Sequence, residues 1–208
     1  MEDVFSRIYQ NNAWGDPESV SGPGSGVTRT AAFRDQIPKL LHDLRARSLL
    51  DAGCGDFNWL KELDLPLDYV GIDIVRELVA GNIRRYGSNS ARFIHGDIML
   101  ADLPRVDVIL CRDCLVHFSY QDARTTLRNF QRSQSCYLLT TTFVNVSANS
   151  NISTGGWRPL NLEREPFSFP IPLKVIDEQC LHTGGIFADK RLALWRLQDI
   201  NSNSDGAS

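Results

Sequence analysis

Short runs of apolar residues alternate along the chain with segments whose apolar positions recur at helical spacing. Five runs are predicted to be strands: Ser48–Ala52, Tyr69–Asp73, Ala91–His95, Asp107–Cys111 and Cys136–Thr142. They are apolar throughout instead of alternating, which indicates strands that are covered on both faces. This alternation of strands and helices predicts a parallel sheet with helices on both sides.

The helical segments precede and separate these strands. Apolar residues three and four positions apart predict one helix within Thr28–Arg47, and Pro38 is expected to kink it or to mark a late start. Three more helices are predicted between the strands, at Asn58–Leu63, Val75–Tyr86 and Gln121–Gln131.

The C-terminal part of the chain breaks this alternation. The stretches "LKVIDEQC" and "RLALWRLQDI" are predicted to be two strands, and the segment between them is short enough for an antiparallel hairpin. The predicted fold class is therefore α/β, a doubly wound, mostly parallel, Rossmann-like sheet with an antiparallel C-terminal hairpin. Residues 1–29, rich in Gly, Ser and Pro, are expected to form an N-terminal lid or leader, and residues 201–208 a disordered tail.

Composition narrows the function classes. The 208 residues suit one domain, and the net charge of −3 argues against a nucleic-acid binder with a broad basic surface. Five cysteines without a small-scaffold spacing favour a reducing, cytoplasmic location. The pair Cys111 and Cys114 lacks the second pair that a zinc site needs, so no metal is expected. The chain shows no signal pattern and no run near the ~20 apolar residues of a membrane span, so no membrane partner is expected.

The stretch "SLLDAGCGDFNW" predicts a ligand site where the first strand ends. Ligands of open parallel sheets bind beyond the carboxyl ends of the strands, and here Asp51 is followed by Gly53 and Gly55. The glycines allow a sharp turn and a close approach to the ligand, while Asp51 and Asp56 can meet a cationic group.

The next two strands indicate a nucleoside. "YVGIDIV" ends in Asp73, which is placed to accept hydrogen bonds from ribose hydroxyls. In "HGDIM", Asp97 can accept from an adenine amine and Ile98 can pack on the ring. Asn58 stands where a dinucleotide fingerprint has its third glycine, so a ligand without pyrophosphate fits better. S-adenosylmethionine meets these requirements.

The motifs "LLDAGCGDFNW", "YVGIDIV", "FIHGDIM" and "VILCRDCLVHF" resemble, in order, those of the class I S-adenosylmethionine-dependent methyltransferases, over Val27 to Leu197. The residues around these motifs are similar to those of a small subgroup of stand-alone bacterial enzymes. The resemblance implies a seven-stranded sheet whose last strand is inserted antiparallel, and a methyltransferase domain at residues 30–200. It also implies S-adenosylmethionine as cofactor.

The resemblance assigns cofactor contacts residue by residue. It implies that Asp51, Gly53 and Gly55 hold the methionine end, Asp73 the ribose, Asp97 the adenine, and that Cys111 offers backbone groups beside the methionine portion. The remaining residues expected to contact the cofactor are Ile74 and Ile98 on the strand ends, with Trp14 and Arg34 from the N-terminal region.

Candidate catalytic residues follow the fourth strand, in "CRDCLVHFSYQD". His117 titrates near neutrality and can take a proton from the acceptor, and Asp113 can orient it or act as the base. Alternatively, Arg112 and Asp113 form a structural pair in this loop. The residues expected to bind the acceptor are Tyr9, Arg112, Trp157 and Arg158.

The predicted function is methyl transfer to a nitrogen or oxygen of a small polar metabolite, such as a sugar or an amino- or hydroxy-bearing natural-product intermediate. An RNA, protein or peptide methyltransferase is the first alternative, although "CRDC" stands where an RNA amino-methylating enzyme often has Asn/Asp-Pro-Pro-aromatic. An NAD-dependent reductase is the second, and the chain lacks the Tyr-x-x-x-Lys pair of such an enzyme. A non-catalytic binding module is a third, and the oligomeric state stays open.

Overall fold

The computed structural model describes residues 1–180 and 184–201, and these residues form one seven-stranded sheet. In chain order the strands are β1 (Ser48–Ala52), β2 (Asp68–Asp73), β3 (Ala91–His95), β4 (Val108–Cys111), β5 (Tyr137–Phe143), β6 (Lys174–Asp177) and β7 (Lys190–Arg196). The spatial order is β3-β2-β1-β4-β5-β7-β6. Strands β1 to β5 are parallel, and β7 lies antiparallel between β5 and β6. This topology confirms the predicted fold class.

The central strands are buried on both faces, as their continuous apolar runs predict. Leu49, Leu50, Ile109 and Leu110 are each at most 1 % exposed. Alternate side chains enter two different clusters, Leu50 and Ile109 on one face of the sheet and Leu49 and Leu110 on the other. Strand order reverses between β1 and β4, so the crevice for a ligand is expected beyond the carboxyl ends of these two strands.

Five α-helices cover the sheet within the described residues: α1 (Glu2–Gln10), α2 (Val27–Arg34), α3 (Gln36–Asp43), α4 (Arg76–Tyr86) and α5 (Tyr120–Arg132). The helix predicted within Thr28–Arg47 is two helices, because the chain breaks at Asp35 into α2 and α3. The break lies three residues before Pro38, which was expected to kink the helix or to mark a late start. Pro38 is the third residue of α3, where a helix has no intrahelical acceptor for the backbone N–H that proline lacks. The helix predicted at Asn58–Leu63 is only a 3₁₀ turn, at Leu60–Glu62.

The N-terminal 29 residues contain a helix that the turn-rich composition did not predict. Phe5 of α1 is buried and packs on Phe118, with ring centroids 5.9 Å apart. A Cβ on Gly155, which has φ of +98°, would meet the Val4 side chain, so α1 also lies close against the long connection after β5. Whether this segment moves as a lid stays a prediction.

The predicted tail lies outside the described residues except for Asn201, and so does part of the connection between β6 and β7. Within residues 1–180 and 184–201, none of the helices has the length and apolar character needed to cross a membrane.

Candidate functional site

A cleft with about 930 Å³ of empty space lies at the carboxyl ends of β1 to β4. The strand ends and the turns that follow them form its floor, and residues from α1 and the segment after it form its roof. Eight of the predicted cofactor contacts line this cavity: Trp14, Asp51, Gly53, Gly55, Asp73, Ile74, Asp97 and Ile98. Four predicted catalytic or acceptor-binding residues line it as well: Tyr9, Arg112, Asp113 and His117.

Four other predicted site residues lie outside this lining. Cys111 is fully buried in β4, where its carbonyl oxygen accepts a hydrogen bond from the Thr140 hydroxyl at 2.6 Å. Arg34 ends α2, and its buried Nη1 atom has no hydrogen-bond partner among residues 1–180 and 184–201. Trp157 is 44 % exposed and packs edge-on against Phe187.

Arg158, the fourth, is 3 % exposed, and its guanidinium supports the loop that follows β4. It donates to the backbone carbonyl oxygens of Leu115, Phe118 and Ser150 at 2.9 to 3.0 Å. Buried carbonyl groups need such donors, so this side chain stabilises the turn that carries His117. Its predicted contact with the acceptor stays a prediction without a supporting contact.

Asp51, at the end of β1, is a buried acid with one neutral donor. Its Oδ2 atom accepts a hydrogen bond from the Tyr69 hydroxyl at 2.8 Å, and the residue is 4 % exposed. Burial raises the pKa of Asp51 to about 7, and the Tyr69 hydrogen bond only partly offsets this. A cation bound in the cavity would therefore stabilise the ionised form of Asp51.

Asp73, at the end of β2, organises the loop after β1. Its Oδ2 atom accepts from the Gly55 N–H and its Oδ1 atom from the Val75 N–H, both at 2.9 Å. Burial raises the pKa of Asp73 although these backbone N–H groups act in the opposite direction. Asp97 similarly accepts from the Met99 N–H, at 2.8 Å, through its Oδ1 atom.

The glycines after β1 are needed for the turn and for close packing within the protein. Gly53 and Gly55 have φ of +84° and +54°, in the left-handed region that favours glycine. A Cβ on Gly53 would lie 3.0 Å from Cys114 Sγ, and one on Gly55 would collide with the Ser21 hydroxyl. The sequence predicts that a ligand comes close to these two glycines. In the structure, the atoms closest to their Cβ positions belong instead to Cys114 and Ser21.

The roof of the cavity is hydrogen-bonded to this same loop. Asp56 accepts from the hydroxyls of Ser19 and Ser21 at 2.8 to 3.0 Å, and its N–H donates to Ser21. Asp56 was expected to meet a cationic ligand, and the structure instead occupies its carboxylate with these serines and leaves it outside the cavity lining.

Asn58 makes a second connection to the roof. It is 7 % exposed, and its amide donates to the Glu18 carboxylate at 2.9 Å and to the Ser25 carbonyl at 3.0 Å. Glu18 also accepts a hydrogen bond from the Val27 N–H at 2.6 Å. This bond is the largest cause of the lowered pKa of Glu18. Asn58 therefore ties the N-terminal segment to the loop after β1, a role that its place in the glycine pattern did not predict.

Arg112 and Asp113 belong to a buried ionic cluster that reaches the C-terminal hairpin. Arg112 Nη2 lies 2.6 Å from Glu178 Oε2, and Lys190 Nζ lies 2.5 Å from Asp113 Oδ2 and 3.1 Å from Glu178. Arg112 also donates to the Gly24 carbonyl in the roof, at 2.8 Å. Two acids and two bases make the cluster neutral, which buried charges require.

The cluster determines the protonation of Asp113. Burial alone would favour the neutral acid, but the positive charges of Lys190 and Arg112 outweigh it and hold the pKa of Asp113 well below its usual range. A carboxylate held ionised in this way is a weak base at neutral pH. The position supports the alternative in which Arg112 and Asp113 form a structural pair.

His117 presents a neutral imidazole beside Trp14. Its Nδ1 atom lies 2.8 Å from the Gly156 carbonyl oxygen, which can only accept, so Nδ1 carries the proton and Nε2 keeps a lone pair. Burial lowers the pKa of His117, although the Gly156 hydrogen bond and Asp113 act in the opposite direction. The ring lies 5.1 Å from that of Trp14.

The thiols of Cys54 and Cys114, which line the cavity, have raised pKa values. Burial raises the pKa of the Cys54 thiol, and a hydrogen bond to Cys111 together with burial raises that of Cys114. Such thiols stay protonated and are poor nucleophiles and metal ligands. Within the described ranges no cluster of three or more His, Cys, Asp or Glu side chains could hold a metal ion.

Sequence reasoning missed several residues that line the cavity. Phe5, Ser21, Ser25, Cys114 and Phe118 all line the cavity without having been predicted to do so. The spacing of Val4, Phe5 and Ile8 is helical and could have indicated α1. The serines could not have been found, because ordinary loop composition does not reveal which strand end a loop covers.

Comparisons with known proteins agree with this architecture. Residues 49–134 match a family described as a methyltransferase domain. No curated protein matches the chain. Among solved structures, the chain is similar to 1,6-didemethyltoxoflavin-N1-methyltransferase of Burkholderia thailandensis, bound to 1,6-didemethyltoxoflavin and S-adenosylhomocysteine, with 17 % identity, 94 % and 86 % of the two chains covered and a TM-score of 0.62.

A second solved structure shares the fold over most of its length. It is the methyltransferase domain of bacterial CtHen1-CN, with 12 % identity, 82 % of this chain and 100 % of that chain covered, and a TM-score of 0.56. The chain spans 66 %, 49 % and 48 % of three other solved chains that it matches. At these identities the structural likeness concerns the fold.

Proposed function

We propose that this chain, which is a class I S-adenosylmethionine-dependent methyltransferase, methylates a nitrogen or oxygen atom of a small polar acceptor. One observation carries the proposal: Asp51, Asp73 and Asp97 end or follow three neighbouring parallel strands and line one cavity together with His117. The match to a methyltransferase domain supports the reaction type. The fold shared with an enzyme named 1,6-didemethyltoxoflavin-N1-methyltransferase is compatible with a small acceptor.

The residues of the cavity fit S-adenosylmethionine. Asp51 and Asp73 are buried, and neither has a salt-bridge partner in the part of the chain that the structure describes. Burial raises the pKa of both. A cationic ligand at Asp51 and hydroxyl donors at Asp73 would favour the ionised forms and so act against this effect of burial. When bound, S-adenosylmethionine supplies a methyl group that its own sulfonium activates.

Each acid has a distinct role in this proposal. Asp51 binds the ammonium of the methionine portion, Asp73 accepts from the ribose hydroxyls, and Asp97 with Ile98 binds the adenine. The roof, which Asp56 and Asn58 tie to the floor, excludes water and keeps donor and acceptor aligned.

His117 is the proposed general base. Its Nε2 lone pair takes the proton of the acceptor, while the Gly156 carbonyl fixes the tautomer and the ring orientation. Asp113 acts through charge instead, since Lys190 and Arg112 keep it ionised and hydrogen-bonded. It is a positioning residue for the loop that carries His117.

Calorimetric titration with S-adenosylhomocysteine tests the cofactor site. The wild-type chain is expected to bind it, and Asp73→Asn, which removes the charge with little change of volume, should weaken binding at least tenfold. Asp68→Asn is the matched control, because Asp68 is an exposed acid at the opposite end of β2. No heat of binding at millimolar ligand, or equal effects of both variants, would refute the proposed site.

A further inference from the structure

We infer that the acceptor is a planar aromatic or heteroaromatic compound whose ring N–H or phenolic O–H is methylated. The inference rests on the proposed function, because it concerns the part of the cavity that remains when Asp51, Asp73 and Asp97 bind the cofactor. The sequence predicts a small polar metabolite, sugars included, and the aromatic acceptor is a narrower class within that prediction.

The cavity has aromatic walls. Phe5, Tyr9 and Trp14 line it from the roof, and His117 and Phe118 line it from the loop after β4. In this proposal the rings face the acceptor, and Trp14 does so instead of contacting the cofactor as the sequence predicts. The rings form two pairs: Trp14 lies 5.1 Å from His117 at 35°, and Phe5 lies 5.9 Å from Phe118 at 50°. Flat apolar and π surfaces of this kind bind another ring by stacking and by burying its area.

The charged groups beside these rings are already paired. Arg112 donates to Glu178 and to the Gly24 carbonyl, and Asp113 accepts from Lys190. A sugar would place several hydroxyls against Phe5 and Phe118, where they would lose water without gaining partners. A cationic amine would find the Asp113 carboxylate neutralised by two bases.

The proposed base also favours an acidic acceptor. His117 is a neutral imidazole with a lowered pKa, so it is a weak base. A phenol such as the tyrosine side chain has a pKa of about 10. An aliphatic hydroxyl resembles water, whose pKa is about 15.7. A weak base removes the proton from the first type of group far more readily.

The transfer balances with this one base. The proton of the ring N–H or O–H moves to Nε2 of His117, and the electron pair left on the acceptor atom forms the new bond to the methyl carbon. The electron pair of the broken carbon–sulfur bond stays on sulfur, which thereby loses its positive charge. Asp113 is not required to change protonation.

Binding of small probes to the chain saturated with S-adenosylhomocysteine tests this inference by calorimetry. Lumazine and 4-hydroxyquinoline represent planar ring acids, and glucose and glucosamine represent sugars. At least one planar probe is expected to bind at least tenfold more tightly than either sugar. With S-adenosylmethionine instead, the same probe should support formation of S-adenosylhomocysteine.

Two variants connect the binding to the aromatic walls. Trp14→Ala should weaken the planar probe at least tenfold, and Trp14→Phe, which keeps a ring, should restore most of the affinity and so exclude a general folding defect. Ile171→Ala is the control, since Ile171 is 85 % exposed and lies outside the cavity lining; it should change affinity less than twofold.

The outcomes separate this inference from the proposed function. Tighter binding of a sugar, binding of neither planar probe by a chain that does bind S-adenosylhomocysteine, or an unchanged affinity in Trp14→Ala would each overturn the aromatic acceptor while leaving the cofactor site intact. Failure to bind S-adenosylhomocysteine would instead refute the proposed function.

Discussion

The Nζ atom of Lys190 on β7 lies 2.5 Å from Oδ2 of Asp113, which follows β4, although 77 residues separate them in the chain. Lys190 is 5 % exposed, and with Arg112 and Glu178 it completes a neutral cluster. The contact joins the loop that carries the proposed base to the antiparallel end of the sheet. A change of charge in this cluster should therefore affect both the loop and the packing of β7.

Asp113→Asn should destabilise the fold by about 2 kcal/mol or more, because it leaves an excess positive charge in the cluster; the cost stays below that of a fully buried pair, since the Asp113 side chain is 26 % exposed. Urea unfolding at pH 7 measures the change in the free energy of unfolding. The double variant Asp113→Asn/Lys190→Met restores neutrality and should be less destabilised than Asp113→Asn alone. A cost below about 1 kcal/mol for the single variant would contradict a tightly coupled cluster.

Asp113 should also make the stability of the fold depend on pH in the acid range. The folded-state pKa of Asp113 lies below the unfolded value of about 3.9, so its contribution is present above that pH and is lost as the pH falls toward the folded pKa. The free energy of unfolding of the wild type should therefore fall more steeply below about pH 4 than that of Asp113→Asn. Parallel pH profiles of the two proteins would count against this assignment.

Affinity for S-adenosylhomocysteine should depend on the protonation of Asp51. Its pKa is raised to about 7 in the free protein, and a cationic ammonium binds the ionised form, so protonation competes with the ligand. The dissociation constant should increase by roughly tenfold between pH 8 and pH 6. Asp51→Asn should bind more weakly at pH 8 and show a flat profile, and calorimetry across this range provides the measurement.

Tyr69→Phe should shift that profile to higher pH. The Tyr69 hydroxyl donates to the Asp51 carboxylate and so favours its ionised form. A hydrogen bond to a charged group contributes about 1.5–3 kcal/mol, which corresponds to a rise of about one to two pH units in the midpoint. A midpoint that stays in place would show that this hydroxyl does not control the acid.

Asn58→Ala should loosen the roof of the cavity. The substitution removes the amide that donates to Glu18 and Ser25, and it leaves these acceptors without that partner. Cleavage within residues 1–29 by limited proteolysis should become faster, and saturating S-adenosylhomocysteine should slow it in the wild type. Asn11→Ala, an exposed residue whose amide bonds only within α1, is the control and should resemble the wild type.

His117→Gln should lower turnover on a planar probe by about 10²–10⁴-fold, because glutamine cannot take the proton. Affinity for S-adenosylhomocysteine should change less than twofold, since the proposed cofactor contacts lie on other residues. Comparison of kcat with the calorimetric dissociation constant separates the two effects. An undiminished kcat would remove His117 from the mechanism.

Much of the sheet was predictable because the relevant signals are local. The strands predicted from apolar runs agree with β1 to β5 to within one residue at each end. Asp51, Asp73 and Asp97 could be placed on one cavity from sequence, because parallel neighbouring strands deliver their carboxyl ends to the same edge. In contrast, periodicity could not predict the break at Asp35, since α2 and α3 continue one apolar pattern across it.

The sequence by itself thus determined strands β1 to β5, their parallel arrangement and the acids at the edge of the sheet, since each depends on a few consecutive residues. Only the tertiary structure decided that Asp56 and Asn58 bind the N-terminal roof, that Arg158 supports the turn before α5, and that Glu178 and Lys190 neutralise Arg112 and Asp113. These are hydrogen bonds and ion pairs between segments 35 to 77 residues apart. Their partners are selected by packing in space, for which consecutive residues carry no signal.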